Sequence, residues 1–423
     1  MTPKFGLATL TPIIVLYGLS MNKFSSITLI SFLLAALVFS SSCTNGTSSS
    51  IEREDLFSLE IGPMEDQIAL YRLDGNRGIR RTGFTMRDGL FFIADGNSGK
   101  IVRYNSYGDL LFMIYNEETN PPPYTLRTNV SEDEQFTRWA HSYPLEEPGW
   151  IAVDSRRHIY VEDRLPHQEQ RTDTEMRAML DGIILHFDQD GRFVNYLGRE
   201  GIGGSPFPRI VGMTTSVRDE LAVICRLQDG WDVYWFNSSG MLLFLVRISS
   251  SVVPAHEDWP EAFAFIDSIW ASPDSRQLLL KVDYLRDTFD QSTNTRTGSE
   301  PISSIIWMLN VEDGSYSGSV EIPLYEIIEN GRAANIRVFY SVLGVARSGK
   351  ALLYFPVETG YALLFVNTYT YEQRRSNIQF SVDELIYNDF YLSNEGILSA
   401  MLADNYNVKM TWWRTDSFMG EAY

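Results

Sequence analysis

An all-β fold assembled from repeated four-stranded units is what this sequence predicts, and three observations carry the reading. Hydrophobic residues make up 44% of the chain and aromatics 13%, with 22 Tyr and 24 Phe, a composition suited to strands around a packed core. The stretch TGFTMRDGLFFIADGNSGKIVRYNSYGDLLFMIYN, Thr82 to Asn116, reads as four short strands: one ending at Arg87, then Leu90–Ala94, Ile101–Asn105 and Leu110–Tyr115. Asp88-Gly89, Gly96-Asn97-Ser98-Gly99 and Tyr107-Gly108-Asp109 separate them with strong turn chemistry. Finally, this unit returns with drift along the chain. One copy cannot bury both faces of its sheet, so copies must stack, and the predicted architecture is a six-bladed β-propeller of four-stranded antiparallel blades.

The 423 residues give ample length for one large β-domain. Residues 1–42 read as an export signal rather than as fold. Met21-Asn22-Lys23 opens a short basic region and is a better start than Met1; Ile27–Phe39 is the apolar stretch, and Ser40-Ser41-Ser42 precedes Cys43. This resembles a bacterial lipoprotein signal, which implies lipidation of Cys43, although Ser40 stands where such signals usually carry Leu. Cleavage after the serine run and an uncleaved anchor helix are the alternatives; Ile27–Phe39 falls short of the roughly 20 residues a span needs. Residues 43–52 then form the lipidated Cys and a polar tether, and 53–423 the propeller. The other cysteine, Cys225 in LAVICRL, is a core residue, and no disulfide framework exists.

The second copy runs from Pro148–Asp154 through His158–Glu162, Gly182–Phe187 and Arg192–Leu197. The third comprises Arg209–Thr215, Glu220–Leu227, Trp231–Asn237 and Met241–Ile248, and the fourth Phe265–Ser272, Gln277–Asp283, Ser304–Val311 and Ser317–Ile322. Val338–Ala346, Ala351–Val357, Gly360–Asn367 and Asn377–Ser381 make the fifth. The sixth has only Asp389–Ser393, Ile397–Ala403 and Val408–Thr415. Its missing outer strand is supplied by Asp55–Gly62, patterned like Gly191–Gly198, which closes the ring and removes two free sheet edges. A pair of β-sandwiches and a seven-bladed ring are the structural alternatives.

Phe92-Ile93-Ala94-Asp95-Gly96-Asn97-Ser98-Gly99-Lys100-Ile101-Val102-Arg103-Tyr104 resembles the core of an NHL repeat. Tyr160–Asp163 echoes it in part, and the other copies keep only the pattern. The wider resemblance, to six-bladed propellers of the NHL and TolB-like type, implies that fold from about Asp55 to Tyr423. No copy pairs Gly-His with Trp-Asp, so WD40 is disfavoured.

The formal charge is −19, and the first 51 residues carry Lys4 and Lys23 but no acid, so the remainder carries −21. That excludes nucleic-acid binding and electrostatic docking on anionic lipid as functions. The long connections, Glu117–Glu147, Arg164–Asp181, Gly198–Pro208, Ser249–Ala264, Tyr284–Ser303 and Pro323–Arg337, all fall on one face of the disc. Loops on a rigid scaffold are where binding resides. Partner-binding candidates there are Trp139, His141, Tyr143, His167 and Trp259, joined by His256 and the Pro121–Tyr124 run. Each alone also reads as a lid residue packed on its own blade.

Asp95, Asp163, Asp283 and Asp404 recur at the end of second strands and read as acceptors for backbone N–H groups of the following loop. Inner-strand tips fall near Thr82, Pro148, Ile210, Asp267, Tyr340 and Asp389. Metal-dependent propeller lactonases and NHL-type lyases carry Glu, Asn, Asp or His at such tips, so Asp267 and Asp389 are the alternative ligands for a divalent cation such as calcium. The five His show no zinc spacing, Gly198–Gly204 lacks the Lys-Ser/Thr of a P-loop, and the Asp188–Gly191 turn has Arg199 where a calcium loop needs Glu. The expectation is a monomeric, lipid-anchored, non-enzymatic envelope module, outer-membrane or periplasm-facing, that binds a protein, peptide or glycan through its long-loop face. A metal-dependent hydrolase or lyase is the alternative, and a structural envelope scaffold the third reading.

Overall fold

In the computed structural model, residues 50–70, 81–128, 138–329, 332–383 and 385–420 are described. Residues 1–49, which hold the expected export signal, Cys43 and most of the expected tether, lie outside them. The described chain is an all-β, six-bladed propeller, and the strand pairing follows the sequence pattern closely.

Blade one is Thr82–Arg87, Leu90–Asp95, Lys100–Asn105 and Leu110–Tyr115, paired antiparallel in that order. Its first turn places both Asp88 and Gly89 at positive φ, 52° and 73°, the geometry a two-residue hairpin loop requires. Blade two is Pro148–Val153, Ile159–Arg164, Gly182–Phe187 and Phe193–Gly198; blade three is Ile210–Thr215, Leu221–Arg226, Trp231–Phe236 and Leu242–Ile248. Blade four is Phe263–Ala271, Gln277–Phe289, Arg296–Asn310 and Tyr316–Ile322, and blade five Ser341–Val345, Lys350–Val357, Gly360–Asn367 and Gln373–Gln379. Blade six takes three strands from the C-terminal end, Tyr387–Leu392, Leu398–Ala403 and Asn407–Trp413, and its outer strand, Arg53–Glu60, from the N-terminal end.

Period-two alternation explains the core. Successive residues of a strand point to opposite faces, and each face packs on a different neighbouring blade. Phe91 and Ile93 therefore join Met401, Val408 and Met410 between blades six and one. Their neighbours Phe92 and Ala94 join Ile151 and Val161 between blades one and two. Val223 and Cys225 sit between blades two and three. Ala222 and Ile224 face blade four with Leu278 and Leu280. Leu279 and Leu353 fill the next interface, and Leu352, Leu398 and Trp413 the one after. Six such cores go round the ring, one for each junction.

Closure is more extensive than the sequence suggests. Besides Arg53–Glu60 in blade six, Ser50–Ile51 pairs parallel with Asn377 and Ile378 of blade five, so the N-terminal segment clamps two blades. Ile51 and Leu59 are both buried.

Several connections expected as loops are ordered strands. Tyr284–Ser303 continues the two middle strands of blade four, paired from Tyr284 with Ser303 out to Phe289 with Arg296. The sequence there is polar, because a hairpin standing in solvent has no apolar face to alternate. Hairpins also occupy Arg171–Leu180 and Tyr325–Val338. Trp139–Ser142 returns along the rim as a parallel fifth strand on Leu110–Tyr115, and Gly201–Ile202 extends blade two. Both cover outer edges that would otherwise expose unpaired backbone groups.

Candidate functional site

The six inner strands converge on the propeller axis around a cavity of about 330 Å³, to which all six blades contribute. Glycines let the strand tips approach: a Cβ on Gly83 of blade one would lie 2.5 Å from the Gly149 carbonyl oxygen of blade two. The residue after Gly149, Trp150, donates its indole N–H to the Ile210 carbonyl of blade three at 3.2 Å, which fixes the ring at the cavity wall.

Arg81 lies flat on that ring, its guanidinium carbon 3.5 Å from the ring centroid. This is well inside cation–π range. Among the described residues that line the cavity Arg81 is the single basic side chain and Asp389 the single acidic one. Their nearest approach is 3.6 Å, too long for a charge-assisted hydrogen bond, and Arg81 remains 38% exposed. Burial pushes Asp389 up to about 6, with Arg81 working in the opposite direction. Glu162 curls under Gly149, accepts the Trp150 backbone N–H at 3.1 Å, and is raised by burial to about 7. Across the cavity Tyr354 and Tyr361 lie ring to ring at 4.6 Å, and the Tyr361 hydroxyl reaches Asn388 Oδ1 at 3.4 Å. The wall thus combines aromatic faces, amides and one opposed charge pair, a lining suited to a small polar ligand.

The residues singled out from sequence are dispersed. Trp139 lies on the rim strand, stacked on Phe112 with centroids 6.0 Å apart, and its indole N–H donates to the Asp190 carbonyl at 2.6 Å. His141 follows on the same strand, half-buried, and Tyr143 packs against Phe187 and Phe193. His167 is exposed in the turn before the Arg171–Leu180 hairpin. Trp259 is 36% exposed beneath Arg286 of the blade-four hairpin, 4.7 Å away. His256 is buried edge-on to Tyr284. These side chains do not form one cluster: Trp139, His141 and Tyr143 belong to the rim, because their connection descends to cover the edge of blade one.

The recurring aspartates behave in two ways. Asp95 and Asp404 accept N–H groups of the loops that follow them, as expected, from Asn97 and Ser98 and from Tyr406 and Asn407. Asp163 instead accepts from Glu146 and Glu147 of the preceding connection, and Asp283 binds Lys281 Nζ and Ser304 Oγ, each at 2.7 Å.

The axial metal reading meets a poor donor set. Asp267 lies 3.3 Å from the buried Lys281 ammonium, and Asp389 faces Arg81, so each carboxylate has a basic neighbour where a cation would need further oxygens. Among the described residues no group of three His, Cys, Asp or Glu side chains is placed to hold a metal ion.

Sequence reasoning reached Asp389 but missed Arg81, Trp150, Tyr354 and Tyr361. The signal for Trp150 was present, since Pro148-Gly149-Trp150 opens an inner strand, whose tip borders the axis. Nothing in the sequence linked Arg81 to it.

No family model matches the chain, and no curated protein does. Among solved structures it is similar to a gluconolactonase from Xanthomonas campestris, at 11% identity over 88% of this chain and 99% of that one, with a TM-score of 0.38. A streptogramin B lyase covers 84% of this chain and 97% of its own at 11% identity and a TM-score of 0.34. The Dos1 propeller covers 84% and 73%, at 11% identity and a TM-score of 0.32. At such identities the likeness concerns architecture alone, and the strand pairing of this chain makes it a six-bladed β-propeller.

Proposed function

We propose that this protein is a lipid-anchored binding module of the cell envelope, which takes a protein-, peptide- or glycan-borne group into the axial cavity from the face that carries its hairpins. The observation that carries the reading is the cavity itself, lined by all six blades, with aromatic side chains from five of them and the amides of Asn388 and Asn394 from blade six. Three hairpins, at Arg171–Leu180, Tyr284–Ser303 and Tyr325–Val338, extend connections of the same face. The Cys43 signal supports the anchor, and the net charge of −19 supports a partner other than nucleic acid.

The test is a binding screen of residues 44–423 against envelope peptides and glycans, followed by Trp150→Ala and by removal of residues 286–299. A partner whose affinity falls at least tenfold with Trp150→Ala supports the cavity. A partner bound equally well by both variants refutes it. Membrane partitioning of the full chain that disappears with Cys43→Ala supports the lipid anchor; partitioning that persists refutes it.

A further inference from the structure

The way Arg81 is held narrows the ligand. A guanidinium presents a planar fork of donors matched to a carboxylate. In Arg81 this fork is fixed by stacking on Trp150, yet no described residue accepts a hydrogen bond from it, and Asp389 stops at 3.6 Å. The stacked guanidinium thus keeps donors that no described residue accepts, in a side chain 38% exposed, which is what a receptor for an anion needs before its ligand arrives.

We propose that the axial cavity binds a sugar acid, with Arg81 receiving its carboxylate. This rests on the reading that the cavity is the binding site. A sugar ring carries an apolar C–H face and a hydroxyl edge. The cavity offers both complements: the paired rings of Tyr354 and Tyr361, and the side chain of Asn388 beside them. Its volume of about 330 Å³ accepts one or two sugar rings and excludes a folded protein surface. Asp389 then acts as the selectivity element. Its carboxylate beside Arg81 repels an anion and admits only one that pairs bidentately with the guanidinium.

Calorimetric titration of residues 44–423 with glucuronate, glucose and a carboxylate-ended dipeptide tests this. The wild-type protein is expected to bind glucuronate at least tenfold more tightly than glucose or the dipeptide. Arg81→Gln should lose at least tenfold in glucuronate affinity while leaving the weak glucose binding in place, and Arg81→Lys should recover only part. Asp389→Asn, which removes the repelling charge, should tighten glucuronate several-fold. Glucuronate binding unchanged in Arg81→Gln overturns the proposal, as does weaker binding in Asp389→Asn. Preference for the dipeptide, or for glucose, overturns the sugar-acid assignment while Trp150→Ala sensitivity keeps the cavity as the site. Binding insensitive to both Trp150→Ala and Arg81→Gln overturns the cavity reading too. A thermal melt of each variant checks that it has folded, and the Arg81→Lys and Asp389→Asn arms stand if Arg81→Gln has not.

Discussion

Lys100 provides the sharpest test of how the ring is locked. Its side chain is fully buried, and Nζ donates to the Met64 carbonyl at 2.5 Å and the Gln67 carbonyl at 2.7 Å, with Pro63 at 3.4 Å. Beside it the buried Asp95 carboxylate accepts the Ala69 N–H at 2.8 Å. Lys100 and Asp95 together pin the segment that follows the closing strand onto blade one. Lys100→Met keeps the length and apolar stem but leaves the carbonyls without a donor and Asp95 without its countercharge. Burial already raises Asp95, so losing the cation drives it further toward the neutral form. Removing one partner of a buried pair costs about 3–5 kcal/mol, a large share of the 5–15 kcal/mol typical of native proteins. With about 2.1 cal/mol/K of unfolding entropy per residue, a ring of roughly 370 residues loses about 4–6 °C in Tm. The assay is differential scanning calorimetry, with hydrogen exchange over residues 61–70. A melting point within 1 °C of wild type and unchanged exchange would refute the pin. Lys100→Met/Asp95→Asn should recover part of the loss, because the uncompensated carboxyl is gone.

Three further outcomes are expected. Deleting the chain through Glu60 unpairs the outer edge of blade six and buried Leu59 and Ile51, costing roughly 5 kcal/mol. The whole ring should melt earlier, and a melt like that of the full chain would show that closure does not matter. His158 Nδ1 and His186 Nε2 lie 2.9 Å apart, and burial lowers His186 to about 4, so the unfolded chain, with an ordinary histidine pKa near 6.5, binds the proton more readily. This contribution, about 3 kcal/mol, is present above pH 6.5 and lost as pH falls toward 4. The urea midpoint should fall less between pH 7 and pH 4.5 in His186→Gln than in wild type, and equal falls would contradict the assignment. Cys225 is fully buried and its thiol is pushed well up by burial, so in a chain starting at Thr44 it should resist a thiol reagent until urea unfolds the ring. Reaction at the native rate of an exposed thiol would mean that the interface between blades two and three opens.

The sequence alone determined the strand pattern, because two-residue periodicity and Gly-centred turns are local properties of the chain. Leu90–Asp95 and Lys100–Asn105 were legible for that reason, and so was the N-terminal closing strand, since Asp55–Gly62 repeats the pattern of an outer strand. Cys225 was legible as core from its apolar strand. The hairpin beyond Tyr284 was not, because polar strands in solvent lack the alternation that marks a buried face. Nor could the sequence show that Trp139 turns down the rim, since a connection's path depends on which sheet edge needs covering. The axial site was decided by tertiary structure. Arg81, Trp150, Tyr354 and Asp389 come from blades one, two, five and six, and only closure of the ring brings them to one cavity.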